Sequence, residues 1–211
     1  MSSEVEICKL ALSEVRGGNI NSLDDPTVPA QQCKLKYPIF RDQLLASHDF
    51  SFNQSIKALA LLTDTIFDWE YVYQYPVDCL YVKEIIPNVE SSIYSYDRPF
   101  SDPVTLFQND VEYKVLMNND VKVIVSNHPD LRINYRRSVS DPNFYEHNFR
   151  MALSYIIAAG IAVPLAGIKE GTLLKQGLLE MHEYYLNKAL MSSANQQSSY
   201  TPDSEFITVR N

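Results

Sequence analysis

The hydrophobic period of this chain switches twice, from helical spacing to strand alternation and back, and that switching restricts the folds open to it. Val5, Cys8, Leu12 and Val15 recur at i, i+3, i+7 and i+10, which places them on one helical face. Gly17-Gly18 then ends this helix in the manner of a C-cap. Asp25-Pro26 predicts a second helix start, with Asp as N-cap and Pro in the first turn. Its apolar face would hold Cys33, Tyr37, Phe40 and Leu44. Pro38 lies inside that pattern and should kink or divide the helix, because its ring removes a backbone donor. A third helix is predicted over 53–62, where Ile56, Leu59, Ala60 and Leu62 are apolar.

Beyond Ile66 the chain is rich in Tyr, Val and Ile. Tyr71, Tyr73 and Tyr75 alternate, as do Val121, Val123 and Val125, the period-2 signal of half-buried strands. Asn118-Asn119-Asp120 is turn chemistry and predicts a hairpin between 111–117 and 121–126, followed by a strand over 131–135. The middle third therefore reads as an antiparallel region of about four to six short strands. Ser140-Asp141-Pro142 opens a strongly apolar helix over 143–163, which Pro164 and Gly167 end. A last helix over 169–191 puts Leu174, Leu178, Met181 and Tyr185 on one face. A Ser/Gln/Asn-rich stretch follows, then Phe206-Ile207-Thr208-Val209.

The expected fold class is α+β: a helical bundle from the N- and C-terminal helices, an inserted antiparallel β region and an extended C-terminal tail. The expected boundaries are 1–65 and 140–191 for the bundle, 66–139 for the β region and 192–211 for the tail. With 211 residues, 45% of them hydrophobic, the chain can bury a real core, which excludes wholesale disorder.

Charge narrows the function classes. Eighteen Lys and Arg against 26 Asp and Glu leave a net −8, the wrong sign for gripping nucleic acid by counterion release. No apolar run approaches the roughly 20 residues of a membrane span, so no membrane partner is expected. The acidic start Met-Ser-Ser-Glu-Val-Glu lacks the basic and apolar regions of a signal peptide, so synthesis in the cytoplasm is expected. Cys8, Cys33 and Cys79 are far apart and form no CxxC, which suggests neither a disulfide frame nor a zinc site. Buried, inert thiols account for them better than a nucleophile does.

Catalytic templates are missing: no GxSxG, HExxH, Walker A or GxGxxG occurs. His48, His128, His147 and His182 are scattered, and Asp24-Asp25 sits where a helix cap is wanted. No cofactor, metal or catalytic residue is expected. Tyr71, Tyr73 and Tyr75 could stack bases, but they lack interleaved Arg and Lys, so sheet and interface packing is the better account. Arg132, Arg136 and Arg137, with Lys114 and Lys122, form the one basic cluster. Either it is a solvated sheet edge or it contacts a neighbouring subunit. Phe206, Ile207 and Val209 have the composition of a segment that orders on a partner.

Three stretches in a fixed order resemble a known family. The first is Cys33-x-x-x-Tyr37, then Arg41-Asp42-x-Leu44-Leu45, closed by Phe50-Ser51-Phe52. The second is Trp69-x-Tyr71-x-Tyr73-x-Tyr75-Pro76-x-Asp78-Cys79-Leu80. The third is Asn134-Tyr135-x-x-x-Val139-x-Asp141-Pro142-x-Phe144, continued by Phe149-x-x-Ala152-Leu153 and Ile161-Ala162-Val163-Pro164-Leu165. Together they resemble the tail tubular protein A family, the head-to-tail adaptors of short-tailed bacteriophages. Phe50 departs from that pattern, which has Trp in Trp-Asn-Phe.

The resemblance implies a virion protein: a ring of twelve subunits between the portal and a tail nozzle of the tail tubular protein B type, around an axial DNA channel. It implies a bundle from both chain ends with a projecting β region, no catalytic residues, and a C-terminal segment reaching into the portal. The β region would face the nozzle. Twelve copies at −8 give a ring of −96, whose acidic channel would let DNA slide without sequence-specific binding. A ring needs two different patches per subunit, and Tyr71, Tyr73, Tyr75, Arg132, Arg136 and Arg137 are the candidates. Assembly order would follow if a docking surface or the tail formed only on the portal. The competing expectations are a tail-associated glycan hydrolase with two carboxylates in a cleft, and a monomeric binding module.

Overall fold

The capping chemistry at each helix end sets the frame. The computed structural model describes residues 3–87 and 111–196. Ser3 caps α1 (Glu4–Glu14): its hydroxyl accepts the Glu6 N–H while the Glu6 carboxylate accepts the Ser3 N–H. The Gly17 N–H closes the far end on the Leu12 carbonyl at 2.9 Å, and Gly18 takes the positive φ that the turn requires. α2 (Val28–Ser47) is capped by Thr27, not by Asp25. Asp25 instead folds back to accept the N–H groups of Asn21 and Ser22. The helix also runs unbroken across Pro38. Pro38 lies on the exposed side, and the buried Cys33, Tyr37, Leu44 and Leu45 on both sides of it hold the helix against the lost hydrogen bond.

Asp141-Pro142 opens a single 3-10 turn, Pro142–Phe144, so α3 begins later than the sequence predicts, at His147–Ala166. Pro164 sits within its last turn, and Gly167, at φ +81°, makes the reversal into α4 (Ile168–Asn195). α4 thus extends into the stretch predicted as tail; residues 197–211 lie outside the described residues.

α3 is the centre of the bundle. Phe149, Leu153, Ile157 and Ile161 are fully buried, and the helix packs on α1, α2 and α4. By length and composition alone it could cross a membrane, contrary to the sequence expectation, but 56% of its apolar stretch is buried inside the structure. Gly171 lets α4 approach α3, since a Cβ there would lie 2.6 Å from the Ala162 carbonyl oxygen. His182 of α4, nearly buried, bonds through Nδ1 to the Ala152 carbonyl of α3 at 2.8 Å.

Among the described residues, six strands form two three-stranded antiparallel sheets. β1 (Gln54–Ala58), β6 (Leu131–Arg137) and β3 (Cys79–Pro87) make the first, in the order β1-β6-β3. β2 (Tyr71–Gln74), β5 (Val121–Ser126) and β4 (Tyr113–Asn118) make the second, in the order β2-β5-β4. β1 replaces the predicted third helix. Its apolar spacing fits either structure, and five residue pairs with β6, from Gln54–Arg136 to Ala58–Arg132, decide for the strand. After β1 the chain crosses to the other sheet, where Leu62 N–H donates to the Val72 carbonyl and Gln74 N–H to that of Ala60. Asn119 and Asp120 both take positive φ and turn β4 into β5, as the sequence predicts.

Ile85, Leu131, Ile133 and Tyr135 of the first sheet share a core with Tyr73 and Ile124 of the second. Val72, Val123 and Val125 are buried on the second sheet's other face, under Leu62, Ile66 and Trp69. The mixed α+β class is therefore the observed one.

Burial holds the His182 pKa below its usual value, although the bond to Ala152 opposes the shift. A depressed histidine stabilises the fold above its unfolded pKa, near 6.5, and that contribution is lost as pH falls through the folded value. Urea titrations at pH 7 and pH 5 should show the wild type losing more stability on acidification than His182→Gln. Phe149→Ala should cost about 3–5 kcal/mol by the same titration, with an unchanged slope.

Candidate interaction surfaces

The joint between bundle and sheets organises the residues singled out from sequence. Phe50, Phe52, Tyr145 and Phe149 pack ring against ring, with the Phe50–Phe149 and Tyr145–Phe149 centroids 4.8 and 4.9 Å apart, edge to face. The buried Asn53 sits beside them. Its amide donates to the carbonyls of Leu45 and His48, and its side-chain oxygen accepts the Phe50 N–H at 2.9 Å. Its backbone carbonyl accepts the Arg137 N–H, so one residue ties the end of α2 to β6.

Arg136 belongs to this joint. Its Nε lies 2.7 Å from Asp49, a second guanidinium nitrogen donates to the Ala46 carbonyl, and the group stacks over Tyr81 at 4.7 Å. Lys83 reaches the same Asp49 at 3.2 Å. Burial disfavours the charged carboxylate, but Arg136 and Lys83 outweigh it and hold Asp49 below the usual range. Arg136 thus acts within the subunit. Arg132 occupies the same face of β6, opposite Ala58 and Ile86, while Arg137 pairs with Cys79 at the start of β3. Both are half-buried.

The tyrosines divide as well. Tyr73 is 2% exposed, and its hydroxyl donates to the His128 carbonyl at 2.8 Å, which withdraws it from any outer surface. Tyr71 stacks on it at 6.4 Å, and Tyr75 lies under Lys122 at 5.1 Å; both are half-buried. Packing between sheets, rather than one outward platform, explains their alternation. Phe206, Ile207 and Val209 lie outside the described residues.

Cys8 and Cys33 face each other across α1 and α2, both fully buried. The hydrogen bond between them, with burial, drives the Cys8 thiol far above its ordinary range. Among the described residues no group of His, Cys, Asp and Glu is placed to hold a metal ion.

Apolar side chains remain on outward faces that the sequence analysis did not single out. Val28, Leu35 and Ile39 of α2 are each more than half exposed, as are Leu173, Tyr184 and Met191 of α4. Met117 and Val121 are exposed beside the β4–β5 turn. On α2 the signal was present as a second apolar row, off the face of Cys33, Tyr37 and Leu44.

Arg136→Ala should cost about 1–3 kcal/mol in urea unfolding at pH 7, through the lost charged hydrogen bonds. Asp49→Asn should also destabilise at pH 7. A carboxyl depressed by folding contributes above its unfolded pKa, near 4, so the gap between Asp49→Asn and the wild type should close as pH falls below that value. A comparison of the chain with protein-family models and with curated proteins finds no match in either.

Proposed function

We propose that the chain is a structural head-to-tail adaptor of the tail tubular protein A type, acting by assembly and not by turnover. Twelve copies would form a ring in the virion between the portal and the tail nozzle, extending the channel through which DNA leaves. The observation that carries this reading is the apolar surface left on the outer faces of α2 and α4, in a subunit whose own cores are closed. An apolar row on an outer helix face is surface that another chain can cover. The arrangement of the subunit agrees with the role. Helices from both chain ends share one core, and a β region joined to it through Asn53, Asp49 and Arg136 is suited to bear load between two partners. The motif order from Cys33 to Leu165 adds the family resemblance, with the β region toward the nozzle and residues 192–211 toward the portal.

Light scattering across a range of protein concentrations, with and without a portal, tests the proposal. The expected species, alone or on the portal, has twelve times the 24.1 kDa mass of the chain. A monomer under every condition would overturn the adaptor reading.

A further inference from the structure

The end of α4 lies beside an open groove. Gln196, the C-cap of α4, contacts the Glu146 carboxylate at 3.4 Å, and Glu146 is the residue just before α3. The next residue, His147, lines a groove of about 510 Å³ between α1 and the start of α3. Ile7, Leu10 and Met151 give that groove its apolar lining. Ile7 is buried at its base, whereas Leu10 is 44% exposed, so the described residues leave the groove uncovered.

The tether identifies what can fill it. Nine residues, 197–205, separate Gln196 from Phe206-Ile207-Thr208-Val209. Extended, they span roughly 30 Å, while the groove, from Glu6 to Ser13 along α1, is roughly 10 Å long. The apolar strip therefore reaches the groove of its own subunit with slack, at an effective concentration on the order of millimolar. The longer stretch outside the described residues, 88–110, follows Pro87. Pro87 pairs with Leu131, at the other end of the first sheet from the Cys79–Arg137 pair that adjoins Asn53 and the bundle.

Charge does not oppose the contact. The titratable groups lining the groove are Glu6, Lys9, His147 and Arg150. The Glu6 carboxylate is taken up by the Ser3 N–H at 3.0 Å, Lys9 helps to stabilise the charge on Asp25, and Arg150 has contacts of its own. In the tail, Asp203 and Glu205 precede the apolar strip and Arg210 follows it. Exposed ion pairs are worth little, so apolar burial and the tether supply the affinity.

We propose that, in the free chain, Phe206-Ile207-Thr208-Val209 docks in the α1–α3 groove of its own subunit. This goes beyond the adaptor reading and does not depend on it. The groove gives the tail a resting place, from which an assembly partner would have to draw it.

The test uses the full chain carrying Phe206→Asp and Ile207→Asp, substitutions that lie outside the folded core and vacate the groove. The probe is a fluorophore-labelled synthetic peptide of residues 203–210. Anisotropy titrations should show this variant binding the peptide about tenfold or more tightly than the wild type, whose own tail competes. Leu10→Asp added to the variant should abolish that gain, with melting curves establishing that the chain is folded. In the wild type, chymotrypsin should cut after Phe206 about tenfold or more slowly than in Leu10→Asp, with the cut after Tyr200 as reference. That protection should not change on dilution, because the contact is within one chain.

A peptide that binds neither protein, or both equally, would overturn the proposal. So would a Phe206 cut as fast in the wild type as in Leu10→Asp. Protection that fades on dilution would place the tail on another copy, which overturns it as well. A twelve-fold species in light scattering beside any of these failures leaves the adaptor reading standing. A chain that stays monomeric but shows the expected peptide binding and protection overturns the adaptor reading and leaves this contact in place.

Discussion

Asn53 and the rings around it hold the place where the chain leaves the bundle and the place where it returns. The Asn53 amide satisfies the last carbonyls of α2, its side-chain oxygen fixes the Phe50 N–H, and its backbone receives β6. Phe50 and Phe52 then meet Tyr145 and Phe149 at the entry to α3, about 90 residues later in the chain. A buried amide with every group bonded tolerates no slippage, because each lost partner would leave a polar atom dry. The relative placement of helices and sheets follows from that requirement.

Charge completes what the amide begins. Arg136 crosses from β6 to Asp49 and Ala46 at the end of α2, and Lys83 brings β3 to the same carboxylate. Ser51 reaches Glu146 at 2.8 Å, so the start of α3 is tied in as well. The β region therefore joins the bundle through several short polar contacts around an aromatic core.

Local chemistry was readable wherever it acts alone. The apolar rows of α1 and α3, the turn at Asn119-Asp120 and the break at Gly167 all appear where their residues demand, whereas the row expected on α4 splits, with Leu178 buried and Leu174 and Met181 exposed. Reading failed where a distant partner decides. Ile56, Leu59 and Leu62 fit a helix in isolation, but β6 offers a ladder and 54–58 becomes a strand. By its own chemistry Pro38 should kink or divide α2, but the buried side chains on both sides of it carry the helix across. Tyr73 and Arg136 were placed on an outer surface by residue type, whereas a carbonyl from the 127–130 loop and a carboxylate at the end of α2 claim them.

By itself the sequence determined the class of the fold, the α-β-α order and the absence of the familiar catalytic motifs, because periodicity, caps and motif spacing act over a few residues. Only the tertiary structure decided which of its aromatic and basic side chains are interior. It also decided which apolar residues remain uncovered, since burial depends on what packs from elsewhere in the chain. The exposed rows on α2 and α4 belong to that second kind of information. Spacing alone shows that they are apolar, and the packed bundle shows that nothing among the described residues covers them.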